Sequence, residues 1–254
     1  MRLLFTSDLH GLISAFERFA QLLRQAEYDL GIISGDLTTG FRSDELEKIK
    51  DEQDQIVDDI LEELHFPEEA IPIEPDKLLV QAYRKKEIEL KKILEEARKP
   101  VLFIMGNDDG IIGNEWDSTE LLENINKRRM KIGLHNFVGY QYTNLFVDGP
   151  FEKTERDQRK DFHQLKKLID ENTVLVTHGP AYGFMEKGRT KQEKSSIGSR
   201  ALRRLVDRTK PKFHLFGHVH YWFGIYGNEI NGAFPRYRKY VSIDLDSNNI
   251  DFVR

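Results

Sequence analysis

Short, mostly apolar runs recur along this chain, and each stops abruptly at polar residues. They are "RLLF" (2–5), "LGII" (30–33), "VLFIM" (101–105), "TVLVT" (173–177) and "KFHLF" (212–216). Apolar residues on successive positions over so few residues predict strands buried on both faces, as in parallel sheets. Between the first two runs, "SAFERFAQLLRQA" puts Phe16, Phe19, Leu23 and Ala26 on one stripe. Ser14 and Glu17 there match a capping box, so a helix is predicted. Strand, helix and strand in that order predict a parallel pair in an α/β sheet.

Residues 43–98 break the rhythm. "SDELEKIKDEQDQIVDDILEEL" spaces Leu46, Ile49, Ile56, Ile60 and Leu64 helically, and Pro67, Pro72 and Pro75 stop it. "DKLLVQAYRKKEIELKKILEEARK" then predicts a second helix with Leu79, Tyr83, Leu90, Ile93 and Ala97 inward. The pair reads as a helical hairpin inserted within a single domain spanning 1–254. Further on, the pattern predicts a helix near 117–129, one or two strands in "IGLHNFVGYQYT", and a helix in "TERDQRKDFHQLKKLIDE" capped by Thr154 and Asp157. A Gly/Lys/Ser-rich loop at 181–197, a helix in "ALRRLVDR" and a tail of antiparallel strands complete the chain.

Composition narrows the class. No run approaches the roughly 18 apolar residues of a membrane span. The opening "MRLLFTSDLHG" is interrupted by Asp8 and His10, unlike a signal peptide, so a cytoplasmic location is expected. Without cysteine there are no disulfides, thiolate metal sites or cysteine nucleophiles. Between Arg42 and Lys99, 18 acidic against 11 basic side chains leave a net of −7, so the rest of the −5 chain is near +2. The acidity belongs to the insert, and the candidate chemistry lies outside it.

That chemistry sits where the apolar runs end: Asp8 and His10; Asp36; Asn107, Asp108 and Asp109; His178; His218 and His220. In α/β sheets, sites form beyond the carboxyl ends of strands. Each fragment alone is ordinary, since Gly-Asp and Asn-Asp are usually turns. Their conjunction, in order and each after an apolar run, points to metal. Carboxylates, imidazoles and one amide oxygen suit two divalent ions, manganese first, with iron, zinc or nickel also fitting. Seven of these nine as ligands exceed what one tetrahedral ion takes, and a shared carboxylate can hold two ions about 3.5–4 Å apart. His65, His135, His163 and His214 read as structural or surface histidines.

The set "SDLHG … GD … GND … THG … GHVH" resembles the calcineurin-like metallophosphoesterase superfamily. The resemblance implies a four-layer α/β/β/α sandwich, two facing sheets flanked by helices. By motif it assigns Asp8, His10 and His220 to one metal, Asn107, His178 and His218 to the other, and Asp36 to both. It implies hydrolysis of phosphodiesters, with phosphomonoesters as a variant, by hydroxide formed between the metals. One position departs: many members carry histidine after the asparagine, where here stands Asp108. A carboxylate beside two cations is a poor proton donor, so good leaving groups are expected to be favoured. Asp109 matches the family's following acid and is expected to support the ligands from behind.

The expected partner is a small phosphoester. Nucleic acid is disfavoured for want of a long basic stripe, although a nuclease of the same superfamily is one alternative reading. A scaffold that keeps the fold without catalysis is the other. No membrane contact is expected, and the oligomeric state is not readable. Lys187, Arg189, Lys191 and Lys194, and separately Arg236, Arg238 and Lys239, are candidates for phosphate contact.

Overall fold

Two six-stranded sheets face one another in the computed structural model, which describes residues 1–38, 75–112, 116–145, 150–187 and 196–254; of 75–82 and 110–112 only the backbone is described. In the first sheet β1 (Arg2–Thr6), β2 (Leu30–Ser34), β3 (Val101–Ile104) and β4 (Leu122–Asn124) run parallel. The antiparallel strands β13 (Tyr240–Asp244) and β14 (Ile250–Val253) extend it beyond β1, giving the order β14-β13-β1-β2-β3-β4. The second sheet has β9 (Thr173–Thr177) at its centre, parallel to both β6 (His135–Tyr140) and β10 (Phe213–Phe216). Beyond β10 lie β12 (Glu229–Asn231) and β11 (Gly224–Tyr226), and beyond β6 lies β5 (Arg129–Ile132). A small third sheet pairs β7 (Thr143–Asn144) with β8 (Glu152–Lys153).

Alternation along each strand explains why apolar residues stand at successive positions. Leu3, Phe5, Ile32, Leu102 and Ile104 of the first sheet share one buried cluster with Phe137, Val174, Val176 and Leu215 of the second. The intervening Leu4, Ile33, Val101 and Phe103 point outward. They pack under Phe16, Phe19 and Leu23 of α1 (Ile13–Leu23) and Leu90 and Leu94 of α2 (Pro75–Glu95). On the other flank, Val138, Tyr140 and Leu175 meet Phe162 and Leu165 of α3 (Glu155–Leu165), and Leu202, Leu205 and Val206 of α4 (Arg200–Thr209). Helices, sheet, sheet and helices make the expected four-layer sandwich. Each fully buried Leu or Phe contributes about 1.5–3 kcal/mol, and the central layer depends on both sheets at once.

Capping is partly as predicted. Thr154 caps α3, its hydroxyl oxygen accepting from the Asp157 backbone N–H at 3.1 Å. Glu155 then accepts from the backbone N–H groups of Arg200 and Ala201, at 2.7 and 2.9 Å, and ties α3 to the start of α4. Ser14, by contrast, lies inside α1, whose N-cap is Leu12 with no side-chain cap. The backbone decides this start: His10 N–H and Gly11 N–H donate to the carbonyls of Asp36 and Leu37, holding the preceding turn against the β2 loop. α1 also ends before Ala26, which is exposed.

The helix expected near 117–129 is not formed. β4 occupies part of that stretch, with Leu122 opposite Val101 and with Leu122 and Asn124 buried. Val101 N–H donates to the Leu121 carbonyl at 2.7 Å. Pairing with an existing strand edge outweighs local helical spacing. Of the inserted segment, the predicted first helix lies outside the described residues. The second corresponds to α2, which packs beside α1 through Leu90 and Leu94, with Ala97 just past its end. No helix among the described residues is long and apolar enough to cross a membrane.

Candidate metal centre

The carboxyl ends of β1, β2 and β3 in one sheet, and of β9 and β10 in the other, open onto one cleft. His10 Nε2 lies 3.1 Å from His220 Nε2, which in turn lies 3.1 Å from Asp8 Oδ1. Asp8, His10, Asp36 and His220 each offer an atom within 4.8 Å of the others. On the other side, His178 Nε2 is 3.0 Å from Asn107 Oδ1, and the His178 and His218 ring centroids are 5.1 Å apart. Asp36 lies between the two groups. Its Oδ2 is 3.8 Å from His10 Nε2, and its Oδ1 is 3.3 Å from His178 Nε2. All seven ligand candidates are thus brought together, although they lie up to 212 positions apart.

Holding them there strains the backbone. Asp8, His10, Asp36 and His218 adopt φ values of 59°, 48°, 49° and 66°. Such left-handed conformations are uncommon outside glycine and collect where function requires them. Two glycines permit the close approach. A Cβ at Gly106 would strike Asp36 and His178, and one at Gly217 would strike Ser7 and Asp8.

A family model described as calcineurin-like phosphoesterase matches residues 1–222. The chain belongs to the calcineurin-like phosphoesterase family. Fold likeness agrees. One crystal structure superposes with a TM-score of 0.67 at 12% identity, covering 100% of this chain and 98% of that one. TT1561 of Thermus thermophilus gives a TM-score of 0.60 at 14% identity, over 99% of this chain and 97% of that one. A dimetal phosphatase from Danio rerio gives 0.56 at 8% identity, over 95% and 91%. In sequence, UPF0046 protein K07C11.7 of Caenorhabditis elegans is 30% identical over 79 residues, 31% of this chain. That match spans 25% of the relative's own length.

Within this phosphoesterase fold, the donor chemistry fits cations. Asp8 and Asp36 are buried carboxylates, and His178 is fully buried. The Nδ1 of His178 faces the Ser34 carbonyl at 2.8 Å, an acceptor, so Nδ1–H donates and Nε2 is left turned toward Asp36 and Asn107. Burial alone would lower the His178 pKa, but Asp36 and then Asp8 raise it to about 10. Burial would likewise raise Asp36, but charge on His178, with its hydrogen bond, and on His10 holds it well below the carboxylate range. His220 is raised, the desolvation cost being outweighed by Asp8. Desolvation, then charge on His178, drives His218 down to about 4. The carboxylates draw protons onto His178 and His220 in the place where divalent cations would neutralise them.

Asp108 and Asp109 separate in role. Asp109 is buried, accepting at Oδ1 from the Thr38 N–H (2.7 Å) and hydroxyl (3.1 Å), and at Oδ2 from the Gly106 N–H (2.7 Å). It braces the loop that carries Asn107, and burial followed by Asp36 raises its pKa to about 7. Asp108 instead faces the cleft. Its Oδ1 accepts from Asn107 Nδ2 at 2.6 Å, and its Oδ2 is 3.9 Å from His10 Nδ1. Burial and then Asp36 raise its pKa in this structure, whereas bound cations would pull it down.

The cleft is about 550 Å³ and is lined by Asp36, Asn107, Asp108, His218 and His220, together with Ile197, Val219, Tyr221, Pro235 and Arg236. Of the basic candidates, Arg236 therefore reaches it. Arg238, Lys239 and Lys187 are not among its lining, and Arg189, Lys191 and Lys194 lie outside the described residues. Tyr221 and Pro235 went unrecognised in the sequence; the one available signal was that Tyr221 directly follows His220. The other histidines stand apart from the metal candidates. His214 is buried against Thr177 and Glu229, His135 faces Asp246, His163 is exposed on α3, and His65 lies outside the described residues.

Proposed function

We propose that this protein is a binuclear metal-dependent phosphodiesterase, with phosphomonoesters as secondary substrates and manganese as the favoured metal. The observation that carries the proposal is Asp36, which turns one oxygen toward His10 and the other toward His178. Asp8, His10 and His220 would hold one ion with it, and Asn107, His178 and His218 the other. Bound divalent ions supply an activated water and neutralise charge on a phosphate oxygen.

The chain's own residues do the rest. The Ser34 carbonyl fixes the ring of His178, and Asp8 accepts from the His218 N–H at 3.0 Å, holding the β10 loop over β1. Asp108 stands at the cleft in place of a proton-donating histidine. An acid catalyst typically contributes about 10²–10⁴-fold, so the enzyme should favour esters whose leaving oxygen needs no proton. The partner is accordingly a small phosphoester with a good leaving group.

The test is a manganese-loaded assay on bis(p-nitrophenyl) phosphate and p-nitrophenyl phosphate, with metal content measured alongside. Faster turnover of the diester, abolished by chelator, is expected. Bound metal without turnover of either ester would instead mark a scaffold that retains the site.

A further inference from the structure

Besides the metal-ligand candidates, the cleft is lined by residues of different chemistry. Its volume, about 550 Å³, lies in the range of about 300–1,000 Å³ that accommodates small organic molecules. It therefore has room for an ester group beside the phosphate. Those lining residues are Ile197, Val219, Tyr221 and Pro235, with Arg236 as the one lysine or arginine among the described lining.

Arg236 and Tyr221 lie side by side. The Arg236 guanidinium stands 5.5 Å from the Tyr221 ring centre and 5.8 Å from that of Tyr237. Among the described residues it has no carboxylate partner. It is presented by α5 (Phe234–Tyr237), a single turn with Pro235 at its second position and closed by Arg238 at φ 49°. Phe234 anchors this turn against Tyr240, ring centres 5.1 Å apart, and Tyr237 donates its hydroxyl to the Tyr221 carbonyl at 3.0 Å. Tyr221, 37% exposed, is bonded directly to His220. A ring at this place stands one residue from a ligand of the phosphate-binding centre.

Resting on the phosphoesterase reading, we propose that the cleft selects phosphoesters bearing a planar aromatic ring, with Arg236 meeting the phosphate and Tyr221 the ring. The two contacts separate by chemistry. A guanidinium pairs with any phosphate or phosphonate oxygen. A tyrosine face rewards only a ligand with a π-surface, and such stacking is commonly worth tenfold or more in affinity.

Calorimetric titration of the manganese-loaded protein with phenylphosphonate and methylphosphonate tests this, since neither P–C bond is hydrolysed. Wild type should bind the phenyl compound about tenfold more tightly. Tyr221→Leu should bring the ratio close to one, Tyr221→Phe should keep it, and Arg236→Ala should weaken both ligands by a similar factor. Melting curves will show that the variants fold. Equal affinity of wild type for both compounds, or a ratio unmoved by Tyr221→Leu, would overturn the proposal and leave the phosphoesterase reading standing. Binding of neither compound by metal-loaded protein would overturn the proposal, and turnover of bis(p-nitrophenyl) phosphate by the same sample tells whether the phosphoesterase reading falls with it.

Discussion

The Nε2 atoms of His10 and His220 lie 3.1 Å apart although the two residues follow strands of different sheets. Two imidazole nitrogens at that distance can share one hydrogen, one ring donating and the other accepting, and the carboxylates of Asp8 and Asp36 beside them favour a cation in its place. A divalent ion serves there better than a proton, because one ion can engage all four groups.

Metal content should follow that geometry. Wild type reconstituted with manganese is expected to hold about two ions per chain, and His220→Ala about one, measured by atomic emission after desalting. Metal at a hundred times its dissociation constant should stabilise the fold by about 2.7 kcal/mol. For a chain of this size that is a rise in Tm of roughly 5–10 °C, reversed by chelator. An unchanged Tm on chelation would mean that the ligand cluster does not hold metal in solution.

Gly217 should tolerate no side chain. Its Cβ would meet Ser7 Oγ and Asp8 Oδ2, whereas a Cβ at Gly227, which sits at positive φ, meets nothing within 4 Å. Gly217→Ala is therefore expected to lose metal and most activity, while Gly227→Ala pays only for its backbone, about 1 kcal/mol. Parallel melting curves and metal assays on the two variants would show whether crowding of Asp8 sets the difference.

Asp108→His should restore a proton donor at the cleft. Turnover of an alkyl phosphodiester is expected to rise relative to that of bis(p-nitrophenyl) phosphate, by about tenfold or more. If the ratio of the two rates stays constant, leaving-group protonation does not depend on this position.

Glu229 gives the fold a sensitivity to acid away from the cleft. Burial would raise its pKa, but hydrogen bonds from His214 and Arg203 lower it from 4.5 to about 2. The folded value lies below the unfolded one, so the ionised side chain adds stability that is complete above pH 4.5 and lost as pH falls toward 2. The full contribution is about 3 kcal/mol, more than half of it gone by pH 3. Urea unfolding should show Glu229→Gln less stable than wild type at pH 7, with the gap at pH 3 less than half as large. A gap of the same size at both pH values would remove the ionised carboxylate as its cause.

The sequence by itself determined the strands that matter and the side chains at their ends. An apolar run and the polar residue that closes it are neighbours in the chain, so "GIISGD" and "HLFGHVH" carry their own signal, as does the Thr154–Asp157 cap. Tertiary structure decided what depends on partners far along the chain. It placed the strands leading to Asp8, Asp36 and Asn107 in one sheet and those leading to His178 and His218 in the other. It made a strand of Leu122–Asn124 because β3 offered an open edge. It started α1 after Leu12 because the turn before it is bonded to the β2 loop. It also brought Arg236 beside Tyr221, 15 positions earlier, through a one-turn helix whose spacing is too short to read. Buried apolar area rewards each strand wherever it packs, and only the packing of the two sheets against each other fixes which loops share a cleft.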